Sequence, residues 1–294
     1  MTRVAVTAMS QARSPWHTAW RRLSRNGTAV AGFVLLLVIL VACFGAPLFF
    51  DYQRDVVGVN IAQRLQIPVE GKPLGTDELG RNLLARILWG GRTSLMIGFG
   101  SVLLASLAAT FIGTVAAYYG GRTDSLLMRA LDVLLAIPAM LLMITFVAIM
   151  APTQTNLMLA ISVSFVPSMA RLVRAQVLSV KGLEYVAASR AQGASDVRVL
   201  LFHVLPNAIG PVIASFVMYI PGGIMTISGL GFIGLGVQPP NPEWGSMLAS
   251  GRAFIRDAWH LTTLPGAAIV LTIIALTLVG DGLRDAIDSR MSDS

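Results

Sequence analysis

The chain has 294 residues, of which 55% are hydrophobic and 13% charged, where an ordinary soluble domain is about 25% charged. This balance excludes a disordered chain, and a single cysteine excludes a disulfide scaffold. The net charge of +7 comes from 22 basic residues, only two of them Lys, that mostly flank apolar runs, a pattern that fits lipid headgroups and not nucleic acid.

A membrane-spanning helix needs about 20 mainly apolar residues, and Asp, Lys or Arg at its centre costs roughly 2.5–3.5 kcal/mol. The charge-free windows therefore predict the spans. The first is Val30 to Phe49 and the second Ser94 to Tyr118. A longer window is broken by Ala151-Pro152-Thr153-Gln154-Thr155-Asn156, giving Leu131 to Met150 and Leu157 to Val173. The fifth span is Ile209 to Ser228, and the sixth Pro265 to Val279. Between them, Gly229 to Gly236 is too glycine-rich for a good helix and reads as re-entrant or loop. The fold class is thus an all-α polytopic membrane protein with six transmembrane helices.

Six spans put both termini on one side. With that side inside, 14 basic residues lie inward and 8 outward, so the termini are expected in the cytoplasm. The organisation is a cytoplasmic segment 1–28, a first span 29–50, an outer segment 51–93, a core 94–280 and a cytoplasmic tail 281–294. Leu40-Val41-Ala42-Cys43 has the look of a lipoprotein cleavage box, and Arg21-Arg22 of a twin-arginine signal. An ordinary span and positive-inside anchoring explain both.

Chemistry-bearing patterns are few. Gly71-Lys72 is followed by Pro73, and Gln66 stands where a P-loop needs its first glycine. Gly229-Leu230-Gly231-Phe232-Ile233-Gly234 has dinucleotide-fingerprint spacing but no preceding strand. His17, His203 and His260 have no metal-ligand spacing. No predicted span interior holds an ionisable relay, which argues against a proton-coupled carrier. The energy source is expected in another chain.

Between the fourth and fifth spans lies a polar inner loop, 181–206. Leu183 to Gln192 is Ala-rich and predicts a helix. Gly193 suits its left-handed end, and Ser195 or Asp196 can begin a second helix. Pro206 is expected to end the module before the fifth span. Arg198 is the only strong phosphate contact on the second helix, so DNA binding is a poor reading.

This loop resembles the inner-membrane permease subunits of bacterial ABC importers. Their motif is Glu-Ala-Ala, then a spaced Gly, then a hydrophobic-Leu-Pro ending. Here it reads Ala187-Ala188-Ser189, Gly193 and Val204-Leu205-Pro206-Asn207, with Ala187 in place of the glutamate and Glu184 one turn earlier. Four further segments are similar to the peptide/nickel subfamily. They are Pro73 to Asn82, Tyr119 to Asp124, Phe232 to Gly245 and Gly280 to Ala286, and the basic-aromatic start from Ser14 to Arg22 agrees. Together they look like the C-type second permease of dipeptide, oligopeptide, glutathione and nickel systems.

The resemblance implies a type I ABC importer permease fold and a non-catalytic subunit with no cofactor of its own, ATP and Mg residing in partner subunits. It implies a heterodimer with a second permease, two ATP-binding subunits and an extracytoplasmic solute-binding protein, in the bacterial inner membrane. Residues Glu184, Tyr185, Ala187, Ala188, Ser189, Gly193, Ala194, Ser195 and Asp196 would couple to the ATPase. Gly75, Thr76, Asp77, Gly80 and Arg81 would contact a binding protein or partner permease, although a solvated outer loop with tight turns at Gly75 and Gly80 is the other reading. Pro138, Pro167 and Pro221-Gly222-Gly223 are expected to kink or weaken their spans. Trp89, Tyr118, Tyr119 and Trp259 are expected as interfacial anchors. The solute stays open, and a stand-alone carrier or channel is the rival reading.

Overall fold

The computed structural model describes residues 24–288. The basic-aromatic start and Arg290 lie outside the described residues. Among those described, the chain is helical apart from loops and two isolated bridges, Val69 with Lys72 and Thr76 with Asn82. Five helices are long and apolar enough to cross a membrane, and a bent pair supplies a sixth if it counts as one broken span. The all-α, six-span expectation is consistent with this.

Helix α1 runs Gly27–Phe49, its first N–H groups held by the Asn26 side chain. Helix α2, Leu83–Tyr119, starts well before the expected Ser94. Asn82 caps it through Ala85 N–H at 3.3 Å, and Arg86 can sit inside it because Asp77 pairs with it. Helix α2 thus begins within the segment 51–93 expected to precede the second span. Helix α3, Gly121–Leu135, and α4, Ala139–Met150, meet at 84°. Pro138 stands at the start of α4, where its missing N–H and restricted neighbour end the first helix. The expected kink is thus a sharp break. Pro167 lies inside α5, Gln154–Lys181, without ending it.

Helix α6 is Glu184–Ala191, within the loop expected to couple to an ATPase. The fifth span begins as α7, Asp196–Val199, widens over Leu200–Val204, and continues as α8, Leu205–Val217, and α9, Ile220–Phe232. Pro206 does not end the module. It occupies the first turn of α8, where an N–H is dispensable, and the widened turn before it makes room for its ring. Met218 and Tyr219 interrupt the span just before Pro221, the weak point expected there. The glycine run also departs from expectation, because α9 continues through Gly229 and Gly231 to Phe232 and the loop begins only at Ile233. Packing explains this: a Cβ on Gly231 would lie 2.1 Å from Glu243 Oε2, so tertiary fit overrides low propensity. A short outer helix α10, Trp244–Gly251, precedes the sixth span α11, His260–Asp288.

Helices α2 and α5 form the central pair, flanked by α8 and α9, while α1 packs on α11. Gly113 permits the close α2–α5 approach, since a Cβ there would meet Ala170 O at 2.5 Å. The main core joins Ala105, Ala109, Ala117, Met169, Val173 and Val177, and extends to Val186 and Val199 of the inner loop. Cys43 is buried in α1, facing Gly91, as an ordinary span residue.

Candidate coupling loop and outer-face network

The inner loop is built locally. Helix α6 ends in a Schellman arrangement. Ala194 N–H bonds Ser189 O at 3.3 Å, and Gly193 N–H bonds Arg190 O at 2.9 Å. Gly193 has φ +80°, with nothing within 4 Å of a Cβ placed there. Val186 is buried and pins α6 to the core. Glu184, Tyr185, Ala187, Ala188, Gly193, Ser195 and Asp196 are exposed, while Ser189 and Ala194 are half-buried. The structure thus brings the predicted coupling residues together on one exposed turn. Neither Ser195 nor Asp196 caps the next helix through a side chain. Asp196 Oδ1 instead accepts from Tyr118 Oη at 2.7 Å.

Tyr118 is not an interfacial anchor, being 4% exposed. Tyr119 and Trp259 are exposed, and Trp89 meets Tyr52 in a tilted contact, ring centroids 5.0 Å apart, and lies beside Arg92. Two ion pairs tie α3 to α5, Arg174 with Asp124 and Arg171 with Asp132.

At the end expected to face outward, the residues expected to meet a partner turn into the chain. Gly75, Thr76, Asp77, Gly80 and Arg81 are all buried within this chain. Asp77 accepts from Leu79 N–H and Arg81 N–H, both at 2.9 Å, from Arg81 Nε at 2.6 Å and from Arg86 Nε at 3.1 Å. Arg81 also pairs with Glu78 at 2.8 Å, and Arg86 Nη1 donates to Val56 O at 2.8 Å. Thr76 Oγ1 accepts from Gln66 N–H and donates to Gln63 O. The expected tight turns are present, with φ +79° at Gly75 and +75° at Gly80. These residues fold the outer segment onto α2. Their four charges, with those of Glu78 and Arg86 included, close on one another within this chain.

A second outer node escaped the sequence reading. Glu243, fully buried, begins α10 and accepts from Gly245 N–H and Ser246 N–H, both at 2.8 Å, and from Ser94 Oγ at 2.9 Å. Burial pushes its carboxyl above the usual range, while these donors pull the other way. Trp244 Nε1 donates to Ile87 O at 2.8 Å, so α10 is locked to α2. The signal available was an acidic residue opening an apolar, glycine-containing helix after Pro242.

The described residues thus form a bundle of apolar helices with an exposed turn at Gly193 and a closed charge network at the opposite end of α2. Residues 82–293 match the family described as the binding-protein-dependent transport system inner membrane component. Residues 14–68 match the N-terminal TM domain of oligopeptide transport permease C. The chain belongs to this family of binding-protein-dependent permeases. It is 38% identical to the dipeptide transport system permease protein DppC of Alkalihalophilus pseudofirmus, across 95% of this chain and 91% of that one. It is 41% identical to the glutathione transport system permease protein GsiD of Pectobacterium atrosepticum, across 95% and 92%. A solved amino acid ABC transporter with histidines shares the fold, with a TM-score of 0.53 at 11% identity, covering 68% of this chain and 93% of that one.

Proposed function

We propose that the chain is the C-type permease half of an ATP-driven, binding-protein-dependent importer of di- or oligopeptides, or of small peptides such as glutathione. It pairs with a second permease, two ATP-binding subunits and an extracytoplasmic binding protein. ATP and Mg stay in the ATPase subunits, and this chain is non-catalytic. Both termini and the turn at Gly193 face the cytoplasm. The solute assignment is supported by relatives named for dipeptide and glutathione transport. The mechanical role is supported by the exposed, rigidly ended α6 turn.

In this reading α6 and the following turn, from Glu184 to Asp196, seat on an ATPase. Closure of the ATPases moves the turn, and the spans rock with it. Ala187 in place of the motif glutamate removes one charged contact, and Glu184, also exposed, offers a carboxylate one turn away. Gly193→Val tests the seat. A β-branched residue at positive φ costs about 1–2 kcal/mol locally, while open space around Gly193 spares the packing. Uptake by the reconstituted complex is expected to fall about tenfold, with normal membrane insertion. Gly193→Asn, which tolerates the left-handed region, retains most of it. Wild-type uptake by Gly193→Val contradicts the reading.

A further inference from the structure

Tyr118 stands where α2 meets the coupling loop, and groups from three segments converge on it. Its hydroxyl donates to Asp196 Oδ1 at 2.7 Å. The Arg190 guanidinium, on α6, lies 5.1 Å from its ring centroid, and the Lys181 ammonium, at the end of α5, lies 5.6 Å away. Lys181 Nζ also donates to Ala117 O at 3.1 Å and Tyr118 O at 2.5 Å. Those carbonyls are the open C-terminal end of α2, where a cation is favoured. Arg190 and Asp196 lie on opposite sides of Gly193 in the chain, so the Tyr118 side chain holds both arms of the coupling turn. A hydroxyl bonded to a carboxylate is charge-assisted and among the stronger of such bonds.

Helix α2 then runs unbroken from Tyr119 back to Leu83, a span of about 55 Å at 1.5 Å per residue. About 36 Å back along it from Tyr118, Ser94 Oγ donates to Glu243 and accepts from Trp244 N–H at 3.2 Å. One continuous helix thus touches the Gly193 turn at one end and the α10 node toward the other, at Ser94 and Ile87.

We propose that Tyr118 is the positioning residue through which the coupling turn moves α2, so that displacement at Gly193 arrives at the Ser94–Glu243 contact. This rests on the reading that the turn seats on an ATPase. A buried tyrosine that only filled core space would be insensitive to loss of its hydroxyl. A tyrosine that transmits movement is not.

The test uses the full complex in proteoliposomes with its binding protein and ATP. The probe is whichever of labelled dialanine and glutathione the unaltered complex takes up. Tyr118→Phe keeps the ring and its cation contacts and removes the hydroxyl. Solute taken up per ATP hydrolysed is expected to fall about fivefold or more, with the ATPases still copurifying at the normal ratio. Asp196 is exposed, so Asp196→Ala breaks the same bond from the surface and should match that loss. Asp196→Asn keeps an acceptor oxygen without the charge, so its ratio should lie between those of the unaltered complex and Asp196→Ala. The Tyr118→Phe, Asp196→Ala double variant should be no worse than either single. An unchanged ratio in Tyr118→Phe or in Asp196→Ala, or losses that multiply in the double variant, overturns the proposal. Gly193→Val run alongside separates the two readings. If it still lowers the ratio while Tyr118→Phe does not, the ATPase seat stands and the Tyr118 role falls; if neither lowers it, both fall.

Discussion

Asp77→Ala is expected to destabilise the chain by about 3–5 kcal/mol, the usual cost of removing one partner from a buried ion cluster. Asp77 is 3% exposed and compensates two buried guanidinium groups, Arg81 and Arg86. It also caps the turn through Leu79 and Arg81 N–H. Without it, Arg86 remains inside the first turn of α2 with carbonyl partners alone from the bonds that hold it. Glu78, which pairs with Arg81 from a more exposed position, provides the comparison, and Glu78→Ala should cost about 1 kcal/mol or less. Thermal unfolding of the purified complex in detergent measures both. Equal midpoints for the two variants would refute the scaffold role assigned to Asp77.

Glu243→Ala is the second large effect. It strips Ser94 Oγ and the N–H groups of Gly245 and Ser246 of their acceptor, and each buried orphan costs about 1–3 kcal/mol. A loss of roughly 3 kcal/mol or more follows, and α10 should detach from α2 as its cap goes. Glu243→Gln keeps the shape and one acceptor oxygen and should be much milder. The pH dependence has a definite sign. Burial raises this carboxyl in the folded chain, so the folded state binds the proton more tightly than the unfolded one. Its contribution is therefore fully present below the ordinary glutamate pKa and is lost as pH rises through the raised one. Glu243→Gln should flatten that slope in the same unfolding measurement. A steeper slope in Glu243→Gln, or an unperturbed midpoint in Glu243→Ala, would mean the node is dispensable.

The parts of this architecture that local chemistry decides were readable in the residues. The coupling helix was expected from Leu183 to Gln192 and is observed at Glu184–Ala191, because an alanine-rich stretch ended by a glycine contains its own start and stop. The break at Pro138 and the left-handed Gly193 are equally local. What could not be read depends on residues far apart in the chain. Position 231 takes glycine inside a helix because Glu243 fills the space a side chain would need. Tyr118 resembles any aromatic at a span end until Asp196, 78 positions on, takes its hydroxyl. Gly75, Thr76, Asp77, Gly80 and Arg81 are expected in an outer loop from the resemblance and the turn glycines, and they are buried because Asp77 and Arg81 pair within the chain. In each case polarity was visible and its partner was not.

The central claim is that this chain supplies the path and not the energy, which arrives mechanically through the turn at Gly193. The direct measurement is solute uptake by proteoliposomes holding the complete complex, at saturating binding protein and ATP, with the catalytic carboxylate of the partner ATPase neutralised and this chain unaltered. The account predicts that accumulation against a gradient disappears. Accumulation that persists with the inactive ATPase, or with this chain alone under a proton gradient, would contradict it and make the protein a secondary carrier.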